Sequence, residues 1–294
     1  MGAVMKDIHY VLSNFFTHKD FLVSPELIPG TLFTPLHFLF ETILVLLLVS
    51  LAVIVARHKK WIRPVFTGMW ILLLVWEVGI IWWDSTACRN PGLDIRINLS
   101  LYPCSIFMVA LPLVLWGRGF WKQAACGYIF TLGLLGALIN FLYPFSKLLD
   151  YSCLSFIAFH TFFYHGSMLF TYLVMLLSGM HSYRSLGKTL PLLAPSALSL
   201  LFSLPANLIN YLLDADYMYF RGKLFLVSMV FKSTPEPVIT LVLYVLYLVI
   251  PALFYLPAYL RSRMPRQSQV LELAEELENE IALPDLQFRW LFMG

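Results

Sequence analysis

Two side chains in this sequence could supply a nucleophile and a base: Cys104, within Tyr102-Pro103-Cys104-Ser105, and His165, within Phe162-Phe163-Tyr164-His165-Gly166-Ser167. Both lie inside long apolar runs. A thiol attacks an acyl group effectively once a neighbouring imidazole takes its proton. The proline before Cys104 withholds a backbone N–H and favours a kink that opens space beside the sulfur. An imidazole at membrane depth must find a partner, and Gly166 lets a ligand or helix come close to it. Taken singly, a membrane cysteine is a packing residue and a membrane histidine a structural hydrogen bonder. A Cys and a His on separate spans are the most economical catalytic pair the sequence offers.

Further polar residues fall at related depths: His37, Glu41, Glu77, Asn140, Asn207 and Asn210. Such groups are costly against lipid, so they are expected to face one another inside a bundle. His37 and Glu41 share one helical face at i and i+4. Either Glu41 or Glu77 can accept from a histidine. His160 either joins the site or makes an interhelical bond. The asparagines can orient an imidazole or donate to an oxyanion, although bonding between helices is the commoner role of membrane Asn. No HExxH or His/Cys ladder supplies a metal-ligand set, and P-loop, GxSxG and Rossmann fingerprints are absent, so no metal and no cofactor is expected.

The elements that must position these residues are membrane helices. Of the 294 residues, 60% are hydrophobic and only 13% charged, and the mean hydropathy is +0.76, outside the range of an ordinary soluble domain. Apolar runs long enough for a hydrocarbon core of about 30 Å recur at 34–56, 64–83, 98–116, 121–142, 154–179, 189–213 and 236–260. The fold class expected is an all-α polytopic bundle of seven spans. Residues 1–33 form an N-terminal arm, interfacial or solvated, 34–260 the membrane domain, and 261–294 a tail with a short helix. Gly117 to Phe120 make a turn tight enough to force spans three and four antiparallel.

Twelve of the twenty Lys and Arg residues fall on one face, densest in Arg57-His58-Lys59-Lys60-Trp61-Ile62-Arg63 and in Arg261-Ser262-Arg263-Met264-Pro265-Arg266. The positive-inside bias then places the N-terminus outside and the C-terminus in the cytoplasm of a multi-pass cell-membrane protein. The formal charge of +3 and the lack of a basic patch interleaved with exposed aromatics argue against nucleic-acid binding. Membrane lipids are the expected partners, and the oligomeric state stays open. Cys88 and Cys153 both fall toward the outer face, where a disulfide between them is one alternative.

The chain resembles the YwaF-type family of bacterial integral membrane proteins. The likeness is carried by Phe33-Thr34-Pro35-Leu36-His37, Leu101-Tyr102-Pro103-Cys104, Tyr164-His165-Gly166, Asn207-Leu208-Ile209-Asn210-Tyr211 and Asp216-Tyr217-Met218, over residues 33 to 260. That family is similar to eukaryotic ether-phospholipid acyltransferase-like membrane proteins and, more distantly, to the androgen-induced membrane hydrolases of branched fatty-acid esters. The resemblance implies Cys104 as nucleophile and His165 as general base, and adds Tyr217 to the supporting residues. The expected activity is acyl transfer on lipids, or hydrolysis where water is the acceptor, with Asn207 or Asn210 stabilising the oxyanion. The alternative is a non-enzymatic protein that binds or transports a lipid-like or small ligand through His37, Glu41, Glu77 and His165.

Overall fold

The computed structural model describes residues 13–22, 33–143, 150–183, 193–223 and 225–263. Among these residues the regular elements are helical and no strand occurs, so the chain is an all-α bundle. Helix α1, Pro35–Arg57, begins where Thr34 accepts the His37 amide N–H at 3.3 Å and Pro35 occupies the first turn, a start that Pro tolerates because its missing N–H would have had no partner. Helix α2, Lys59–Ala87, follows after His58. Its 29 residues span about 43 Å at 1.5 Å per residue, more than the hydrocarbon core needs.

The expected third span differs most. Its helical part begins only at Cys104, as a 3₁₀ turn Cys104–Ile106 that runs into α3, Phe107–Trp116. The stretch before it is held by long-range bonds instead: Tyr217 Oη donates to Ile95 O at 2.6 Å and accepts from Leu99 N–H at 2.9 Å. Irregular backbone is tolerated in such a protein where it is buried against other segments. Gly117 ends α3. Its amide donates to Leu113 O at 2.9 Å, and a Cβ on it would lie 2.3 Å from that oxygen, so no larger residue fits. The chain reverses at once into α4, Gly119–Tyr128, which packs back on α3.

A π-helical segment, Ile129–Gly133, joins α4 to α5, Leu134–Leu142. The wider turn leaves carbonyls off the regular ladder. Tyr183 Oη donates to Phe130 O at 3.0 Å, and Thr131 Oγ1 to Gly127 O at 2.8 Å. Helix α6, Phe156–Leu177, is capped by Ser155 and packs on α1, α2, α5 and the π segment. It lies at the centre of the bundle. Helix α7, Ala194–Leu213, stops at Asp214 in the left-handed region (φ 55°), and a short α8, Phe225–Val230, leads to α9, Glu236–Arg263.

Five helical stretches among the described residues are long and apolar enough to cross a membrane: Pro35–Arg57, Lys59–Ala87, Gly119–Leu142, Ala194–Leu213 and Glu236–Arg261. The 13-residue stretch Cys104–Trp116 is shorter. Helix α6 is 22 residues long but is diluted by His160, Thr161, Tyr164, His165 and Ser167. That composition fits its position, since most of its surface meets protein rather than lipid.

Of the N-terminal arm, residues 13–22 dock on the bundle. Trp83 Nε1 donates to Phe16 O at 2.9 Å and the Phe156 amide to Phe15 O at 3.0 Å. Asp20 accepts from the Arg89 amide at 3.0 Å, which holds its carboxyl below the usual carboxylate range. Residues 1–12 and 23–32, and the tail after Arg263, lie outside the described residues. Cys88 and Cys153 are not joined by a disulfide, which removes that alternative. Cys88 Sγ instead lies 3.1 Å from Asn90 O.

Candidate active site

Cys104 opens the 3₁₀ turn directly after Pro103. The opening carbonyls of this turn have lone pairs to spare and accept from outside it as well. Tyr128 Oη, from the end of α4, donates to Pro103 O at 2.7 Å and approaches Cys104 O at 3.4 Å. Tyr164 Oη, from α6, donates to Cys104 O at 3.3 Å. Two phenols from different helices thus grip the backbone that carries the thiol. The sulfur faces α5 at a position without a side chain: a Cβ on Gly136 would lie 3.4 Å from Sγ and 3.8 Å from Met168 Cε.

His165 reaches the same sulfur from α6. Its Nδ1 lies 2.9 Å from Thr161 O, one turn back on the same helix. A carbonyl oxygen only accepts, so Nδ1 carries the hydrogen, and Nε2 presents a lone pair. That lone pair lies 3.2 Å from Cys104 Sγ. The thiol donates to it. Thr161 therefore sets both the tautomer and the ring orientation through its backbone, a relation visible in the sequence only as the i to i+4 spacing.

The other polar residues divide into separate groups. Glu77 accepts from Ser100 Oγ at 2.6 Å through Oε1, and its Oε2 lies 3.1 Å from His160 Nε2. This bridge links α2, the segment leading to Cys104, and α6. His160 is thus the partner of Glu77 rather than of Cys104. Asn210 is committed to backbone: Nδ2 donates to Tyr217 O at 2.8 Å, and Oδ1 accepts from the Tyr217 amide at 2.7 Å. Asn207 Nδ2 donates to Tyr244 Oη on α9. With both amides engaged elsewhere, the expectation that one of them stabilises an oxyanion loses its geometric basis. Tyr217 acts as the latch for residues 95–99 described above.

His37 and Glu41 sit on the first turns of α1, on the side where His37 meets the Phe162 ring of α6 at 6.3 Å between centroids. Asn140 lies near the end of α5, one turn beyond Gly136. Sequence reasoning missed Tyr128 and the carbonyl of Thr161, and it quoted Tyr164 only as part of the segment around His165. Among the described residues, no three His, Cys, Asp or Glu side chains are grouped so as to hold a metal ion.

The Cys104 and His165 arrangement has the connectivity needed for proton abstraction from a thiol: nucleophile, base, and a carbonyl that orients the base. No curated protein and no solved structure matches the chain. The model of the TMEM164 family matches residues 32–255, a range that contains every residue named in this site. The chain therefore belongs to the TMEM164 family, a family of membrane proteins.

Proposed function

We propose that this protein transfers acyl groups between lipids within the membrane, with Cys104 as nucleophile and His165 as general base. The observation that carries the reading is the 3.2 Å approach of His165 Nε2 to Cys104 Sγ, with Nδ1 held by Thr161 O. The proton passes to Nε2 as Sγ attacks the ester carbonyl, which avoids full charge separation in apolar surroundings. The tetrahedral intermediate then expels the lipid alkoxide, which takes the proton from His165. The thioester on Cys104 is finally attacked by a second hydroxyl: its proton passes through Nε2 to the departing sulfur, the C–S bond breaks, and the thiol is restored. Water in place of that hydroxyl makes the same site a lipid hydrolase.

The membrane frame of this proposal is seven crossings in the cell membrane, with the N-terminus outside and the C-terminus cytoplasmic. Its support is the basic turn Arg57-His58-Lys59-Lys60, which puts the start of α1 and the end of α5 on the opposite, outer side. The site then lies toward the outer leaflet. A second reading, binding or transport of a lipid-like ligand without chemistry, is favoured by one observation: His37 Nε2 and Glu41 Oε1 are buried without hydrogen-bond partners.

Thiol labelling separates the two. Protein carrying Cys88→Ser, in lipid nanodiscs, is treated with a lipid-tailed iodoacetamide and read by intact mass. The catalytic reading requires one fast adduct at Cys104, slowed about 10²-fold or more by His165→Ala, the usual range for loss of a general base. A Cys104 no more reactive than the buried Cys126 would remove the nucleophile and leave the binding reading.

A further inference from the structure

The tetrahedral intermediate formed from an ester carries a negative oxygen, and in apolar surroundings that oxygen needs a hydrogen-bond donor aimed at it. Asn207 and Asn210 are engaged elsewhere. The phenols offer a better source. Tyr128, Tyr164, Tyr219 and Tyr247 all sit close enough to Cys104 to feel a charge on its sulfur. Three of them give their hydrogen to a backbone carbonyl: Tyr128 Oη to Pro103 O at 2.7 Å, Tyr164 Oη to Cys104 O at 3.3 Å and Tyr247 Oη to Met218 O at 3.0 Å. Tyr219 Oη makes no hydrogen bond among the described residues.

The backbone holds Tyr219 in a rarely used shape. A 3₁₀ turn, Tyr217–Tyr219, follows α7, and within it Met218 and Tyr219 stand at φ 55° and 59°, left-handed values that a bulky side chain seldom adopts. Such a shape persists only where its neighbours over-determine it, and it concentrates at functional sites. Here Asn210 takes both backbone groups of Tyr217. Asp216 accepts from the amides of Arg221 and Lys223 at 2.8 Å each, and Thr240 Oγ1 donates to Phe220 O at 2.9 Å. Tyr217, Met218 and Phe220 are buried by this arrangement, while Tyr219 keeps partial access. Its ring lies 5.7 Å from that of Tyr102, on the segment that carries the thiol. Burial first, and then the charge a Cys104 thiolate would bring, hold this phenol well above its ordinary range, so it stays protonated and able to donate.

We propose that Tyr219 is a catalytic residue, donating through Oη to the oxygen that becomes negative when Cys104 Sγ attacks an ester carbonyl. This rests on the acyl-transfer reading of Cys104 and His165 and supplies the donor which that reading lacked. As the C–S bond forms, the carbonyl π pair moves to the oxygen and the thiol proton to His165 Nε2. Tyr219 keeps its own hydrogen and only shares it. When the pair returns, the C–O bond to the lipid alkoxide breaks and the alkoxide takes the proton from Nε2. The same donor serves the later attack of the second hydroxyl on the thioester.

The test compares two reactions of the same sulfur in the full-length protein in nanodiscs, each read by intact mass with peptide mapping. Acylation by p-nitrophenyl hexadecanoate passes through an oxyanion. Alkylation by a lipid-tailed iodoacetamide displaces iodide at a saturated carbon and does not. Tyr219→Phe keeps the ring and removes only the hydroxyl. The expected result is acylation of Cys104 slowed about 10²-fold or more, with alkylation and the unfolding temperature unchanged, whereas His165→Ala slows both reactions. Acylation at the full rate in Tyr219→Phe would overturn the proposal. So would an equal slowing of both reactions, which is the mark of a residue that only positions the thiol. Wild-type protein that is alkylated fast at Cys104 but never acylated would overturn the acyl-transfer reading itself, and this proposal with it.

Discussion

Two glycines on one continuous span make opposite predictions, and both follow from what a single added methyl would meet. At Gly127 a Cβ would lie 2.7 Å from Pro195 Cα and 3.0 Å from Pro195 Cβ and Cγ, so α4 and α7 would have to separate. Overpacking of this kind costs about 1–3 kcal/mol, and the gain in helix propensity from Gly to Ala offsets only about 1 kcal/mol of it. At Gly136 the new Cβ would meet Cys104 Sγ at 3.4 Å and Met168 Cε at 3.8 Å, both ordinary contacts. Gly136→Ala should therefore be neutral or stabilising by up to about 1 kcal/mol. Its methyl nonetheless occupies the space beside the sulfur that an acyl carbonyl must enter. The expected outcome is a lowered unfolding temperature for Gly127→Ala with the Cys104 alkylation rate preserved at low temperature. For Gly136→Ala the unfolding temperature should hold while alkylation slows at least tenfold. Tryptophan fluorescence on heating and intact-mass labelling read the two quantities separately. Unchanged alkylation in Gly136→Ala would show that reagents reach Sγ from another side and would refute this account of the approach.

Tyr217→Phe removes the hydroxyl that serves Ile95 O and Leu99 N–H; it should cost about 1–3 kcal/mol through the groups left unpaired and raise hydrogen exchange at residues 95–99. Glu77→Leu deprives both Ser100 and His160 of their acceptor and should lower the unfolding temperature, whereas Glu77→Gln should recover most of the loss because an amide still offers an oxygen and an N–H. The Asp94 carboxyl, outside the spans, is held down to about 2 by the Arg96 guanidinium and amide. A carboxyl lowered in the folded state contributes stability above its unfolded value of 3.8, and that contribution is lost only as pH falls through about 2. Intrinsic-rate-corrected exchange of residues 93–97 should therefore be the same at pH 7 and pH 4; a rise by pH 4 would contradict the clasp.

Much of the architecture was legible because apolar runs and their breaks are local signals. Thr34-Pro35 starts α1 and Gly117 stops α3 through neighbours a few residues away. The start of the third span was not legible, because the stretch before Cys104 is apolar enough for a helix but is fastened by Tyr217, more than a hundred residues later. The same limit explains the site. Depth along each run brought Cys104 and His165 to notice, and the structure brings them together. Depth could not separate Asn207 and Asn210, consumed by Tyr244 and Tyr217, from Asn140, whose Nδ2 is unpartnered. Nor could it pair Glu77 with His160 rather than His165, since one residue of helical rotation decides which side of α6 a ring occupies. Tyr128 and Tyr164 were hidden among fifteen tyrosines and became visible only through the carbonyls they hold.

In the proposed mechanism Cys104 accepts an acyl group from a lipid with His165 taking its proton. The most direct test incubates the purified protein with phospholipid vesicles carrying a deuterated acyl chain, quenches rapidly in acid, and reads intact mass with peptide mapping. A deuterated acyl adduct should form on Cys104 and be removed by neutral hydroxylamine, absent in Cys104→Ala and forming at least about 10²-fold more slowly in His165→Gln. An adduct on another residue, or the same adduct formed at full rate without His165, would contradict it.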